Sequence, residues 1–528
     1  MGTAVSERAI PMPAAAEHSL RRDVSVWGSF MWGFADVGAD IYAALGIVIA
    51  ATMGGAPLAF AAAGLVYIMI GLAYTELASA YPVAGGGQYF VTRGLGDIAG
   101  FIAGSALLLD YTIDIALFAV FSAGYMNFFF PRIRDFKMTL GPFVNINPLW
   151  AAQTFLLIGF LTWLNVRGVK ESSLLNELIG AFGLIVEAGL IIIGLIFAWS
   201  PELLVDQWRH QFPTLNQFMY GSSLAIISYV GLESISQAAQ ETRRPATVIP
   251  RTSIGLIGSV FLFAVFFSVT ALGVLPWQAY AKDVGDSVAV YASRLPFVGA
   301  MAGPLAALLG AVILLISSNT GVMGASRLVY SMSQLQLMTS WFREVHPRYH
   351  TPARAILVFA GLGMLEAMLA FLTPSAVDAL ANMYAFGATL GYTLVFIALI
   401  SLRVRDPYSP RPYRVPLNIP LKRRDGQVVQ IPLMGVLGLL GVLITLTEVV
   451  LTHAIGRIAG PAWVLTGLVY YLAYRRRRHL PLWRSTPHRW EEHQRTVLKD
   501  AEEYDLLEAY EFALAQRDRQ RTRGQTHV

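Results

Sequence analysis

The sequence has 528 residues, of which 55% are hydrophobic and only 14% charged, against roughly 25% charged in an ordinary soluble domain. Its formal net charge is +5, and it has no cysteine, which excludes disulfides, thiolate metal sites and cysteine nucleophiles. Runs such as "LIVEAGLIIIGLIFAW", "IGLIGSVFLFAVFFSVTALGVL" and "AILVFAGLGMLEAMLAFL" approach or reach the roughly 20 residues that a helix needs to cross about 30 Å of hydrocarbon. This is the pattern of a multispanning helical membrane protein.

Residues 1–22 carry Glu17 and His18 and have no continuous apolar stretch, so they read as a cytoplasmic tail and not as a cleavable signal peptide. Residues 23–480 form the transmembrane domain. Twelve spans are predicted, at about 26–52, 56–80, 97–130, 148–166, 173–199, 215–240, 252–275, 299–334, 353–373, 377–402, 431–452 and 460–478. With the N-terminus inside, 22 Lys or Arg fall on the inner side and 7 on the outer, so both termini are expected in the cytoplasm of a cell with this protein in its cytoplasmic membrane. The loop 403–430 is proline-rich and sets Asp425-Gly426 between short apolar stretches, a hairpin signal. Residues 481–528 are charged throughout with an incomplete apolar stripe at Val497, Ala501, Tyr504 and Leu507. They read first as a solvated helical tail, with a docking or regulatory helix as the alternative.

The first span reads "GFADVGADIYAALGIVIA" and sets Asp36 and Asp40 one turn apart on a shared face. The third span repeats the device with Asp110 and Asp114 in "LLLDYTIDIAL", and the sixth places Glu233 just after Gly231. At about 1.5 Å per residue, Asp36 lies about 15 Å into its span and Asp110 about 20 Å, both near mid-membrane. Intramembrane carboxylates cost several kcal/mol unless they face a wet cavity, gain a proton or meet a cation, so five of them imply a polar pathway. Small residues beside the acids, Gly38-Ala39 and Gly231, are expected break points. Broken helices are tolerated in lipid only where a cavity or solute satisfies the freed backbone groups, and breaks in both halves of a chain point to an inverted-repeat transporter.

Four segments together resemble the amino acid–polyamine–organocation superfamily: 74–111, "NVRGVKESSLLN" (165–176), "VGLESISQAAQETRRPATVIPR" (230–251) and "GASRLVYSMS" (324–333). The resemblance covers about residues 25–475. It implies an all-α membrane protein with the LeuT-type five-plus-five inverted repeat, broken first and sixth helices and two added helices, with the solute held between the breaks. Amino acid permeases of this group carry a glycine-rich first break, where this chain has Asp40; a lysine of some proton-coupled members is Gly183 here. A second branch, the KimA-type potassium importers, is similar at Asp36, Asp110, Tyr111, Glu233, Asn319 to Gly321 and Tyr384 to Gly387, while Val230 and Phe118 stand where that branch has hydroxyl side chains.

The expected substrate-binding set is therefore Asp36, Gly38, Ala39, Asp40, Asp110, Tyr111, Gly231 and Tyr384, with Glu233 carrying the coupling proton. Tyr111 and Tyr384 are suited to face an ammonium group. Ser317 and Ser318 could join backbone carbonyls in a sodium site, the rival to proton coupling. Glu187, Glu366 and Glu448 are single acids outside that set, expected to be hydrogen-bonded or water-facing, and Arg327 is expected to tie its span to a loop. "PVAGGGQYFVTRG" lacks the ending of a phosphate-binding loop, and no nucleophile–base pair is evident, so neither an enzyme, a cofactor, a metal centre nor a nucleic-acid partner is expected. The reading is a secondary transporter in a lipid bilayer for an amino acid, polyamine or other amine-bearing cation, driven by protons. The alternatives are a potassium/proton symporter, or a nutrient sensor that signals through its tail.

Overall fold

The computed structural model describes residues 26–525, except 39, 84, 141–143, 169–172, 232, 234, 235, 237, 238, 240, 241, 243, 374 and 423–427. The expectations for residues 1–22, for Ala39 and for the Asp425-Gly426 turn lie outside these residues. The helices are α1 (Val26–Gly33), α2 (Asp40–Thr52), α3 (Ala56–Ala80), α4 (Gly86–Leu95), α5 (Asp97–Met126), α6 (Pro148–Arg167), α7 (Ser173–Phe197), α8 (Leu215–Leu224), α9 (Pro245–Val274), α10 (Gly299–Gln334), α11 (Ala353–Phe371), α12 (Ala376–Arg405), α13 (Leu433–Thr452), α14 (Gly456–Arg477), α15 (Trp490–Asp500) and α16 (Tyr504–Gln525), with a few shorter ones between them. Nine helical stretches among the described residues are long and apolar enough to cross a membrane; the first, Val26–Ala80, takes in α1 to α3 in one run. The seventh predicted span begins earlier than expected, at Pro245, because proline fits a helix's first turn, where its missing N–H has no partner to lose.

Local signals set the boundaries. Asn147 caps α6 by accepting from the Trp150 N–H at 3.0 Å, Thr214 and Gln217 form a reciprocal capping box at the start of α8, and Ser375 accepts from the Asp378 N–H to start α12. Burial then sorts the helices. The apolar window of α5 is wholly buried, packed by α10, α12, α11 and α4, whereas that of α6 is 22% buried and that of α13 28%. Leu156, Ile185 and Ile444 are among many large apolar side chains turned outward, an apolar exterior that suits hydrocarbon and not water. The acids of α5 thus sit on the bundle's central helix.

At the arginine-rich end, strands Asn418–Lys422 and Val428–Pro432 pair antiparallel as the hairpin signal implied, with Lys422 opposite Val428. Glu76 at the end of α3 is fully buried and accepts from Arg403 Nε at 2.8 Å, from Arg403 Nη2 and from the Val415 N–H at 2.7 Å, with Arg411 Nε 3.3 Å away.

The segment after residue 480 is not a solvated tail: it is packed across the same end. Asp97, at the start of α5, accepts from Arg475 at 2.7 Å, from the Thr486 N–H and hydroxyl at 2.8 Å each, and from His488 at 3.1 Å, while its own N–H donates to Ser485 Oγ. Arg93 of α4 donates to Gln494 and to Asp406, both at 2.8 Å; Gln494 donates to the Ala80 carbonyl, and Tyr89 meets His493 at 2.8 Å. The Ala246 N–H donates to Glu503 at 3.1 Å. Burial disfavours charge on Asp406, yet the Arg93 guanidinium beside it holds its carboxyl below the usual range. The apolar positions differ from the expected stripe: Val497, Leu498, Ala501, Tyr510 and Leu514 are buried, while Tyr504 is 61% exposed.

Candidate cation site between two interrupted helices

The first span changes its winding beside the acids. α1 passes into a π-helical turn, Phe34–Gly38, and α2 follows from Asp40. Gly38 admits the Phe34 ring so closely that an added Cβ would lie 2.9 Å from it. The sixth expected span stops midway: α8 gives way to the 3-10 turn Ala225–Tyr229, Val230 is extended, and Gly231 has φ +112°, a conformation that L side chains rarely adopt. The two interruptions touch. A Cβ on Gly231 would stand 3.0 Å from Val37 and 3.1 Å from Asp36 Oδ2, so glycine is what lets the second break close on the first.

All five acids converge there and are buried: Asp36 at 7% exposure, Asp40, Asp110, Asp114 and Glu233. The carboxylates nearest to Asp110 are Asp114, Glu233 and Asp36, and those acting on Asp40 are the same four residues. Among the described residues, no N–H or hydroxyl donor reaches either oxygen of Asp110 or one oxygen each of Asp40, Asp114 and Glu233, while the Asp110 and Glu233 carboxyls lie within hydrogen-bonding reach of each other, so that a proton on one is shared with the other. The other Glu233 oxygen accepts from the Tyr392 hydroxyl at 3.1 Å and from the Gly231 N–H at 3.3 Å, so Glu233 braces the break beside it. Like charges this close in a low-dielectric interior cannot all stay ionised and uncompensated; the cluster needs protons or cations.

Of the other expected residues, Tyr384 faces Asp114 and packs edge-on against Phe118. Tyr111 lies near Glu233 and Asp110 and rests on Gly324 of α10. Ser317 donates to the Asp36 carbonyl at 3.3 Å, at the break, but Ser318 turns the other way and donates to the Ile115 carbonyl of α5 at 2.9 Å. The two serines therefore do not converge on one point.

Three tyrosines join the acids without having been singled out. Tyr392 bonds Glu233; Tyr74 stacks edge-on against Tyr392 and faces Glu233 and Asp110; Tyr67 stacks on Tyr229 and lies near Glu233 and Asp40. The hydroxyls of Tyr67 and Tyr74 are buried without a partner among the described residues. Their spacing was the available signal: Tyr67 and Tyr74 are two helical turns apart on α3, as Tyr384 and Tyr392 are nearly so on α12. Of the outlying acids, Glu366 accepts from Thr112 at 3.1 Å and Glu448 from Ser222 at 3.4 Å, as expected. Glu187 departs from expectation: it is fully buried, and neither oxygen has a partner among the described residues.

A helical bundle with an apolar exterior around a buried acidic centre is the build of an integral membrane protein with a polar interior. Residues 24–472 match the amino acid permease family model, and the chain belongs to that family. It is 25% identical over 474 residues to the branched-chain amino acid permease BcaP of Bacillus subtilis, covering 88% of this chain and 95% of that one. It is 28% identical over 414 residues to the mouse cationic amino acid transporter 4 (75% of this chain, 62% of that one) and 25% identical over 407 residues to the low-affinity putrescine importer PlaP of Escherichia coli K12 (74% and 82%).

Proposed function

We propose that this chain is a secondary active transporter that takes up an amine-bearing cation, an amino acid or polyamine, together with a proton by alternating access. The observation that carries the reading is the set of carboxylate oxygens on Asp40, Asp110, Asp114 and Glu233 that no N–H or hydroxyl donor reaches, gathered where the π-helical turn of the first span meets the break at Gly231. An ammonium group supplies both the positive charge and the N–H donors these oxygens lack, and the tyrosine faces around them favour a cation further. Asp36, Asp40, Asp110, Tyr111 and Tyr384 hold the solute, Gly38 and Gly231 keep the breaks open to it, and Glu233 exchanges the coupling proton. Relatives named for cationic amino acids and for putrescine support a cationic solute.

In this reading the polypeptide crosses the membrane twelve times, with a five-plus-five inverted repeat and both termini in the cytoplasm. The arginine-rich end, where residues 481–525 pack, is then the cytoplasmic end. Protons are preferred to sodium because only one of the two candidate hydroxyls, Ser317, reaches the first break.

The test is uptake by the purified full chain in proteoliposomes under an inward proton gradient, comparing labelled arginine, putrescine, a panel of neutral amino acids and a potassium tracer. Amine uptake that falls about 10- to 100-fold in Asp36→Asn, in proportion to one lost charge-assisted contact, is the expected result. Potassium uptake without amine uptake would replace the solute class, and uptake of neutral amino acids unaffected by Asp36→Asn would overturn the acidic site.

A further inference from the structure

At the arginine-rich end, where α10 and α14 finish side by side, a cavity of about 300 Å³ is lined by Ser333, Gln336, Ser340, Arg343, Tyr474, Arg478 and Leu480. That volume is at the lower bound for small-ligand sites, about 300 Å³. Its frame is fixed. The Thr339 N–H donates to the Tyr470 hydroxyl at 3.1 Å, Ser333 Oγ donates to the Thr339 carbonyl at 2.9 Å, and the rings of Tyr470 and Tyr474 lie nearly parallel with centroids 6.3 Å apart.

Arg343 and Arg478 both lie close enough to act on the Tyr474 phenol. Among the described residues neither guanidinium pairs with a carboxylate, in contrast to Arg93, Arg403 and Arg475 at the same end. Arg478 follows the last turn of α14, where a cation offsets the helix's partial negative charge. Arg343 has no such reason to be there: it comes from the short turn Ser340–Arg343, a separate element that also lines the cavity. Two guanidinium groups without a carboxylate partner lining one cavity, with Tyr474, Ser340 and Gln336 as further donors, match the oxygens of a phosphate group. Leu480 lines the cavity, and close by in the chain Trp341, next to Ser340, is 44% exposed and Trp483, three residues after Leu480, is 76% exposed, as befits the headgroup level of a bilayer.

We propose that this cavity binds a phosphate-bearing anion, supplied by the headgroup of an anionic lipid in the adjoining leaflet. The site is independent of the transported solute. The test places the full chain in nanodiscs of phosphatidylcholine with and without phosphatidylglycerol and counts retained lipids by native mass spectrometry. Wild type retains phosphatidylglycerol preferentially. Arg343→Gln with Arg478→Gln weakens that retention about 30-fold, at roughly a tenfold-or-less step per surface arginine. Arg343 and Arg478 are as exposed as their neighbours Arg476 and Arg477, so the control is Arg476→Gln with Arg477→Gln outside the cavity: it leaves retention within a few-fold, and equal melting of all three proteins in pure phosphatidylcholine discs shows that folding is intact.

Equal retention by the cavity variant and wild type would overturn the site, and equal loss in both variants would reduce it to general charge attraction. A soluble arm adds inorganic phosphate to phosphatidylcholine discs. Stabilisation by phosphate that needs Arg343 and Arg478, with no preferential retention of phosphatidylglycerol, would overturn the lipid source.

Discussion

His493 makes the docking of residues 485–510 sensitive to acid. The ring is half-buried, its Nδ1 sits 2.8 Å from the Tyr89 hydroxyl, and the charges acting on it are Arg93 across the interface and His488 of its own segment. Burial first, then the charges of Arg93 and His488, pushes its pKa down from 6.5 to about 4. The released segment therefore binds a proton more readily than the docked one. Its docking is fully stable above about pH 6.5 and loses stability as pH falls from there toward 4. Linkage with these two pKa values gives about 2 kcal/mol lost at about pH 5, some 30-fold in the docking equilibrium, and solvent screening of a half-buried ring trims this toward about 1 kcal/mol. Hydrogen exchange of peptides covering α15, corrected for the intrinsic pH dependence and referenced to α14, reads this directly. Protection of α15 should fall about 5- to 30-fold between about pH 7.5 and about pH 5 in wild type, and by much less in His493→Gln. Unchanged protection in wild type, or an equal fall in the variant, would show that His493 does not couple docking to acid.

Gly231→Ala forces a side chain into a left-handed conformation against Asp36 and Val37, at a cost of about 1–2 kcal/mol before the clash is counted, and should abolish uptake while circular dichroism keeps its helical signal. Glu76→Ala takes from buried Arg403 its bidentate carboxylate and from Arg411 one of its acidic neighbours; thermal unfolding in detergent should show a loss of about 3–5 kcal/mol, and a melting point within error of wild type would contradict the network described for that end. Glu187→Leu removes a buried carboxyl that has no partner among the described residues, so stability should rise by about 1–3 kcal/mol with uptake retained. Loss of uptake in a well-folded Glu187→Leu protein would instead put this acid on the transport path.

Much of the candidate site could be read from the chain because acids inside apolar helices are rare enough to stand out singly: Asp36, Asp40, Asp110, Asp114 and Glu233 were visible, and all five meet. Gly38 and Gly231 were visible for a related reason, since each flanks an acid where a helix interior disfavours glycine. Tyr67, Tyr74 and Tyr392 were not, because a tyrosine in an apolar helix reads equally as packing or as an interface anchor until its neighbours across the bundle are known. The packed segment after residue 480 was misread for two physical reasons. Its partners are remote, as with Arg93 and Gln494, 401 residues apart. Its apolar period also breaks: Glu502 has φ +56° between α15 and α16, which resets the helical phase, so the stripe through Val497 and Ala501 resumes at Tyr510 and Leu514 and not at Tyr504.

The bonds gathered by Asp97 have a consequence for how the protein is made. Arg475, the first of its side-chain partners to be synthesised, leaves the ribosome 378 residues after Asp97 does. At about 5–20 residues per second that is a wait of roughly 20 to 75 s, during which α5 is already the helix around which the others must assemble. The acid that starts the central helix thus spends most of translation without its closing partners, and Thr486 and His488 arrive later still. A chain that stops short of this segment retains its spans but leaves a carboxylate and the Arg93 guanidinium without their last ligands. The late arrival of this segment is therefore written into the finished surface of one end of the bundle.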